Sequence, residues 1–526
     1  MSSAHRTYFP LRLALVAILT LGFPVTALAE NTESAPLTTE GAADPLADEE
    51  PLDPLLDEEE LLPIVGGPTG TAALSGITAD RVAQARIIPA AFSAATTQAI
   101  DEYIAQGLEE AHIPGAAVTI VSADDVLFSK AYGDCASTDT AFVLASLSKS
   151  FTALCLMQLV EAGLVSLDAL VSTYLPDCPV GDSITVRQLA NQTSGLGYFQ
   201  NLTNLTVTES AGTFEYSNAN YDLLGLIIEA ASGMSYADYL KANVFVPLNM
   251  RHSFASLADA EASGMAPGHQ SYFGFNIPVL IDDPRPGSWA QIPSGYLKSS
   301  AGDMGRYLQM YLRGGEGLVS PAGINAVFFD GSPNNIDTNY GMGWFWYGIE
   351  DDDVLCHSGL VENYQSYMLV LPERGLAMVV LADTNDPVVG NALMDEIENG
   401  VFSFMLGAEP EPVESTYWKM HGLTTMLYLG GIALCALPLI FFKRYRNRLR
   451  SLVDDGRWIL AITILLALHV MLPAGLAYVP IYSGSTWFEL IGYMPDAALV
   501  LMLCLTLLLI GGLIALIDLL RHRYAL

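Results

Sequence analysis

The sequence predicts an α+β domain followed by three membrane-spanning helices. Strand-like segments lie at both ends of a long stretch, 91–408, with helical patterns between them. This arrangement indicates an antiparallel sheet that distant parts of the chain close, flanked by helices and interrupted by an all-helical insertion. The membrane region, 409–526, contains three apolar runs at about 423–442, 458–479 and 497–520. Each run is long enough to cross a bilayer.

The N-terminal part of the chain divides into a predicted signal peptide and a predicted linker. Residues 1–29 carry two arginines before a short apolar run and end in Ala27-Leu28-Ala29, the small-x-small pattern of a cleavage site. An uncleaved anchor helix is the alternative, although the run is shorter than a span requires. Residues 30–90 are acidic and contain no Lys or Arg before Arg81. Like charges at this density repel, so we expect a disordered linker.

The distribution of charge predicts the orientation of the chain. Basic residues cluster at 443–450, between the first two apolar runs, and at 521–523, after the third. The segment 480–496 contains no Lys or Arg. By the positive-inside rule the basic segments are cytoplasmic, so we expect a multi-pass cell-membrane protein with its globular domain outside. A net charge of −34 argues against nucleic acid as a partner.

Two groups of side chains leave alternatives open. The four cysteines of the globular domain match no disulfide framework or metal motif, so their pairing stays undecided; they are Cys135, Cys155, Cys178 and Cys356. Cys435 and Cys504 lie in apolar runs and are expected to pack as small apolar residues. His469, inside the second run, is either functional or, as we favour, a neutral histidine bonded to a neighbouring helix.

A Ser-x-x-Lys pair lies in the segment 142–154, which reads FVLASLSKSFTAL. In a helix that begins near Ser146, residues i and i+3 share one face, so the Lys149 amine can reach the Ser146 hydroxyl. A lysine whose pKa is lowered can accept the proton of a serine nucleophile. The alternative is a capping serine beside a solvated lysine, and the pair alone does not decide between them.

Two further motifs follow in the chain, Tyr216-Ser217-Asn218 and His357-Ser358-Gly359. With the Ser-x-x-Lys pair they make 95–406 resemble the serine β-lactamase and penicillin-binding-protein superfamily, in particular the branch related to class C β-lactamases. The supporting context is Ile184 to Leu189 leading into Thr193-Ser194-Gly195-Leu196, Phe214 to Tyr221, and Tyr340-Gly341-Met342-Gly343-Trp344.

The resemblance implies roles for three residues at the reacting centre. Ser146 would be the acylated nucleophile, and Lys149 would help to deprotonate it. Tyr216 would face Ser146 and pass a proton to the leaving group. The set is physically self-consistent, because it joins one nucleophile to two titratable partners that can shift each other's pKa.

The resemblance also implies residues that bind the substrate. Asn218 would donate a hydrogen bond to the substrate amide. His357 would lie on the edge strand beside the cleft, followed by Gly359 of the same motif. The backbone N–H of Leu360 would pair with that of Ser146 as an oxyanion hole.

Two positions depart from the pattern of class C β-lactamases. Those enzymes usually carry Lys-Thr-Gly at the third motif, where this chain has His357, as in relatives that are esterases or D-amino-acid peptidases. A histidine is mostly uncharged at neutral pH, so recognition of a β-lactam carboxylate is in question. Gln192 stands where relatives commonly have His, and we assign it no function. Trp344 is expected in the core.

These observations predict a membrane-anchored, extracytoplasmic serine hydrolase that forms an acyl-enzyme on an amide or ester. The expected substrate is a cell-wall or D-amino-acid peptide, or a small ester, and no metal or organic cofactor is expected. The alternative is a non-hydrolytic penicillin-binding or sensor-type membrane protein, although the cytoplasmic side offers no domain to receive a signal. A transport role for the helices is disfavoured by their few ionisable groups.

Overall fold

The computed structural model describes residues 92–285, 287–333, 338–349, 352–482 and 486–525. The predicted signal peptide and acidic linker lie outside the described residues. The chain forms two compact units, and the larger contains the described residues up to Leu429 together with 480–503. The larger unit therefore extends past the predicted boundary at residue 408 and includes the segment between the second and third apolar helices. We call the other the helical unit.

The strands, in chain order, are β1 Gly115–Ser122, β2 Val126–Gly133, β3 Ala141–Val143, β4 His269–Tyr272, β5 Phe275–Pro278, β6 Lys298–Ser300, β7 Ser332–Pro333, β8 Asn339–Tyr340, β9 Phe345–Ile349, β10 Asp352–Val361, β11 Tyr364–Leu371, β12 Leu376–Ala382 and β13 Thr384–Asn385.

The helices are α1 Ala94–Glu110, α2 Ser148–Glu161, α3 Val186–Ala190, α4 Asn218–Ser232, α5 Tyr236–Leu240, α6 Leu257–Ala262, α7 Ala301–Leu312, α8 Pro321–Phe329, α9 Gly390–Met405, α10 Tyr417–Ile440, α11 Phe442–Asp454, α12 Trp458–Leu466, α13 Leu472–Tyr482, α14 Trp487–Tyr493 and α15 Pro495–Ala525.

The main sheet has eight strands in the order β2-β1-β12-β11-β10-β9-β8-β7. Its first two strands come from the beginning of the domain, and β1 pairs antiparallel with β12 from the end, with Ala116 opposite Ala382. The prediction of an antiparallel sheet closed by distant parts of the chain is therefore confirmed. All seven residues of β12 are buried, because both faces of the sheet are covered by helices.

The two faces of the sheet bury alternate residues of each strand. On one face, Tyr132 lies beside Ala116 and donates a hydrogen bond of 3.0 Å to Asp101 of α1. On the other face, Gly305 of α7 approaches Thr119 so closely that an added Cβ would lie 2.9 Å from the threonine methyl group. Strand β1, next to the edge strand β2, is therefore buried on both sides and fixes the positions of α1 and α7.

The helical insertion surrounds α2, which carries the predicted nucleophile segment. Phe151 of α2 stacks on Tyr307 of α7 with ring centroids 3.9 Å apart. Trp344 is fully buried and its ring lies 5.1 Å from that of Tyr311. Trp344 therefore lies in the core, as expected. Close packing around α2 holds its first turn at the edge of the sheet, where the site is formed.

Three helical segments are long and apolar enough to span a membrane, as predicted. They are Tyr417–Ile440, Trp458–Tyr482 and Pro495–Arg523, with mean hydropathies of 1.9, 2.3 and 2.9. In the helical unit, His469 lies 2.6 Å from the Leu508 carbonyl oxygen and 3.0 Å from the Tyr445 hydroxyl. The favoured reading of His469 as a histidine bonded to neighbouring helices therefore agrees with its position. All six cysteines are described, and none forms a disulfide.

Candidate active site

The nucleophile turn precedes α2 and does not belong to its first turn. Ala145–Leu147 forms a 3₁₀ turn, and the α-helix begins at Ser148. Ala145 has a φ of +49°, a left-handed conformation that costs an L-residue about 1–2 kcal/mol. The Ser148 hydroxyl donates to the Ala145 carbonyl at 2.7 Å and accepts from the Leu297 amide at 3.1 Å. These bonds hold the strained turn that presents Ser146.

Lys149 reaches Ser146 as the spacing predicted. Its amine nitrogen lies 3.2 Å from Ser146 Oγ, 2.7 Å from Asn218 Oδ1 and 2.7 Å from the Ser294 carbonyl oxygen. The last two partners are oxygens that only accept hydrogen bonds. An uncharged amine has two N–H donors and one lone pair, so donating to these two oxygens directs its lone pair toward the Ser146 hydroxyl. This is the geometry of a base for the nucleophile.

Burial controls the charge of Lys149. The side chain is fully buried, and removal from water lowers the pKa of its amine, whereas the nearby Asp222 carboxylate opposes the shift. Burial likewise raises the pKa of Asp222, whose Oδ1 accepts from the Gln291 amide at 3.2 Å. A lysine in this environment can lose its proton near neutral pH, which a base requires.

Tyr216 lies beside the same amine. The Lys149 nitrogen is 4.7 Å from the centre of the Tyr216 ring. Burial raises the pKa of Tyr216 well above its ordinary value, and a hydrogen bond with Ser146 only partly opposes that shift. The phenol therefore keeps its proton and can donate it. The structure thus brings together the three residues predicted at the reacting centre.

Gln192 holds the loop that carries Tyr216 and the start of α4, where Asn218 lies. Its side-chain oxygen accepts from the Ser217 amide at 2.9 Å and from the Asn220 side chain. Gln192 is fully buried and has a φ of +57°. Sequence reasoning assigned this residue no function, yet its contacts position the loop. Its place directly before Thr193-Ser194-Gly195 was the only signal in the sequence.

The third motif lies on β10. The prediction that this strand lies at the edge of the sheet is wrong, because β9 pairs with it from Asp352 to Cys356. That pairing ends at Cys356, so the edge beside the cleft begins only at His357. A Cβ added to Gly359 would lie 2.7 Å from the Leu144 carbonyl oxygen, so the absence of a side chain lets β10 touch the nucleophile turn. Leu360 follows on the same strand, half-buried.

His357 is uncharged in this site. Burial and the neighbouring Lys149 lower its pKa to about 3. Its Nδ1 lies 2.6 Å from the Ser358 carbonyl oxygen, and its ring centre lies 6.2 Å from that of Tyr216. The third motif therefore supplies a neutral aromatic side chain where a lysine would supply a positive charge.

Sequence reasoning missed two groups that contact or influence the base. The Ser294 carbonyl belongs to a segment that carries no motif, so no pattern could have identified it. Asp222 lies four residues after Asn218 in α4, on the same face of that helix. Helical spacing could have found it. Among the described residues, no group of three or more His, Cys, Asp or Glu side chains could hold a metal ion.

The fold and the grouping of Ser146, Lys149 and Tyr216 are typical of a serine hydrolase. A sequence profile of the beta-lactamase family matches residues 100–398. This match spans more than half of the chain, and the chain therefore belongs to the beta-lactamase family, whose members include penicillin-binding-protein-like serine hydrolases.

Individual relatives agree with this assignment. Protein flp of Staphylococcus aureus strain MW2 is 28% identical over 383 residues, which cover 66% of this chain and 74% of that protein. The octameric penicillin-binding protein homologue from Pyrococcus abyssi is similar with a TM-score of 0.52 and 25% identity, covering 62% of this chain and 80% of that one. A class C beta-lactamase shares the fold with a TM-score of 0.51 at 21% identity, covering 58% and 96%.

Proposed function

We propose that this protein is a membrane-anchored serine hydrolase that cleaves an amide or ester through an acyl-enzyme at Ser146. The observation that carries the proposal is the contact of the Lys149 nitrogen with Ser146 Oγ at 3.2 Å beside two acceptor oxygens at 2.7 Å, which would leave the lone pair of an uncharged amine for Ser146. The three apolar helices support anchoring. The expected partners are the lipid bilayer and a small-molecule or peptide substrate.

The residues of the site account for each proton in such a reaction. Ser146 Oγ attacks the substrate carbonyl carbon as its proton passes to the Lys149 nitrogen. The bond to the leaving nitrogen or oxygen then breaks, and the Tyr216 phenol protonates that atom and regains a proton from Lys149. Attack by water on the acyl-enzyme follows the same route in reverse and releases Ser146.

Two features of the chain supply the remaining contacts in this proposal. The oxyanion would lie between the backbone N–H groups of Ser146 and Leu360, which the contact between Gly359 and the nucleophile turn supports. Asn218 would orient the substrate amide. Since His357 is neutral, it offers no positive charge to a substrate carboxylate. The substrate classes to test are cell-wall or D-amino-acid peptides and small esters.

The larger unit, which we call the catalytic unit from here on, is proposed to lie outside the cytoplasm. Basic residues follow the first and third apolar helices, and the segment between the second and third has none. Residues 480–503 also belong to the catalytic unit. Because a folded unit cannot lie on both sides of a bilayer, this association supports a location of the segment and the hydrolase domain on the same side of the membrane.

Intact-mass spectrometry of the full chain tests the nucleophile. The purified protein in detergent is treated with a fluorophosphonate or with a penicillin, beside Ser146→Ala and, as a control, Ser129→Ala on β2. We expect an adduct in the wild type and in Ser129→Ala and none in Ser146→Ala. Labelling that persists in Ser146→Ala rules out the mechanism.

The same experiment separates the proposal from its alternative. Turnover of a D-amino-acid peptide or an ester by the unlabelled protein, lost after labelling and in Ser146→Ala, supports a hydrolase. One stoichiometric burst without turnover of any of these substrates would instead indicate a penicillin-binding or sensor-type protein. Reaction with the penicillin would favour peptide substrates over simple esters.

A further inference from the structure

The segment between the second and third apolar helices contributes a short helix to the catalytic unit. This helix, α14, begins after Thr486, which forms a capping box with Glu489. The Gln270 side chain of β4 donates a hydrogen bond of 2.6 Å to the Gly492 carbonyl oxygen at the other end. The last turn of α14 is therefore attached to the hydrolase domain.

Tyr493, the last residue of α14, contacts an aromatic group beside the active site. Its ring packs edge-on against Trp289, with centroids 5.9 Å apart. Trp289 donates a hydrogen bond of 2.8 Å to the Tyr198 carbonyl oxygen, and the Tyr198 ring centre lies 6.3 Å from that of Tyr216. The Tyr493 hydroxyl is buried without a hydrogen-bond partner among the described residues. Its ring, and not its hydroxyl, therefore makes the contact.

The neighbouring residue of α14 contacts a buried carboxylate. A Cβ added to Gly492 would lie 3.0 Å from Glu362 Cγ, so the helix backbone rests against this side chain. The Tyr296 hydroxyl donates to the Glu362 carboxylate, at 2.9 Å from Oε2. Burial raises the pKa of Glu362, and of Tyr493 and Tyr296 beside it.

These contacts fall at the two ends of one segment, 289–296. Trp289 begins it and touches Tyr493, whereas Tyr296 ends it and reaches Gly492 through Glu362. Between them lies Ser294, whose carbonyl oxygen accepts from the Lys149 amine at 2.7 Å. The segment that orients the base is thus supported at both ends by the same short helix.

We propose that α14 positions the catalytic base, and that Tyr493 is a positioning residue that acts on Lys149 through the segment 289–296. This inference rests on the proposed function, because it assigns Lys149 as the base. Its consequence is that the end of α14, in the chain between two apolar helices, supports the proposed base. Loss of the Tyr493 ring frees Trp289, lets the Ser294 carbonyl move, and turns the amine lone pair away from Ser146.

The test measures acylation and turnover by the full chain in detergent. Tyr493→Ala should lower the rate constant of Ser146 acylation by a fluorophosphonate, and kcat for an ester, about tenfold or more, because small displacements of a catalytic group are costly. KM should change by less than about twofold if the change lies in the chemical step. Tyr493→Phe should restore wild-type values, since the hydroxyl has no partner in the described structure.

Matched variants decide the outcome. Ile491→Ala, on the exposed side of α14, should behave as wild type. If Tyr493→Ala does not fold, Gln270→Met, which removes the bond to Gly492, should lower the acylation rate in the same direction. The inference is overturned if the folded Tyr493→Ala is acylated as fast as Ile491→Ala. If Tyr493→Ala does not fold, the same comparison is made with Gln270→Met. Labelling that is independent of Ser146 would instead overturn the proposed function itself.

Discussion

The Lys149 amine has three polar partners in the site, Ser146, Asn218 and Ser294. Its nitrogen has a single lone pair, and the acceptors Asn218 and Ser294 decide where that lone pair points. The same burial that orients the amine also removes the stabilisation of its charge by water. The orientation and the protonation state of the Lys149 amine therefore both depend on the close packing around the first turn of α2.

Acylation of Ser146 should depend on pH through Lys149. A base must be unprotonated, so the rate should rise with pH. Because burial lowers the pKa of Lys149, the midpoint of this rise should lie well below the ordinary lysine value of 10.5. The measurement is the rate of fluorophosphonate labelling as a function of pH.

Two variants identify the group behind this pH dependence. His357 has a pKa of about 3 and is neutral over the range of the rise, so His357→Gln should keep the same midpoint. Lys149→Met should lose the rise together with most of the rate. A rise with an unchanged midpoint in Lys149→Met would assign the titration to another group.

At the scale of elements, the site depends on how closely β10 approaches the nucleophile turn. Strand β10 pairs with β11 from Leu355 to Val361, with Gly359 opposite Ser366. The Ser366 hydroxyl donates to the Leu144 carbonyl at 2.7 Å, immediately before the strained Ala145. Both strands therefore contact the nucleophile turn. Any side chain at position 359 would push β10 away from this turn and from Ser366 of β11.

Replacing Gly359 with alanine should disrupt this contact. The added Cβ would lie 2.4 Å from Ser366 Oγ and 2.7 Å from the Leu144 carbonyl oxygen. Overpacking of this kind lowers the free energy of unfolding by about 1–3 kcal/mol. We expect a lower melting temperature and the loss of Ser146 labelling.

Strand β9 offers the control for this substitution. A Cβ added to Gly348 meets nothing within 4 Å, so Gly348→Ala should keep both the stability and the labelling of the wild type. Equal behaviour of the two alanine variants would show that β10 does not need a glycine at Gly359. The catalytic turn would then depend on other contacts.

At the scale of the whole molecule, the catalytic unit is not one continuous stretch of chain. It contains the hydrolase domain and returns for residues 480–503, after two apolar helices have intervened. His421, at the start of α10, lies 2.7 Å from Asp386 in the same unit. The start of the first apolar helix, up to Leu429, and the segment after the second therefore both belong to this unit.

Reporter fusions test the proposed orientation of the chain. Green fluorescent protein fused after Leu526 should fluoresce, and alkaline phosphatase fused there should be inactive, because the basic C-terminal end is expected in the cytoplasm. The reverse pattern would place the C-terminus outside. Phosphatase inserted after Ser483, between the second and third apolar helices, should be active and serves as the matched control.

Much of the site was predictable from local sequence. The spacing of Ser146 and Lys149 places their side chains together on one short turn, whatever surrounds it. The apolar runs are equally local, because a span is defined by its length and hydropathy. Both closing strands were visible as apolar segments, and the family pattern named the residues that meet across the cleft.

Tertiary structure decided what depends on residues distant in the chain. The Ser294 carbonyl has no side-chain signature, and its bond to Lys149 exists only because the segment 289–296 folds back over α2. The contact of α14 with Trp289 joins parts of the chain that no spacing rule connects. Sequence by itself therefore determined the proximity of Ser146 and Lys149 and the apolar helices. Packing decided the partners of the Lys149 amine, the lowered pKa of His357 and the place of α14, because each requires neighbours that only the folded chain supplies.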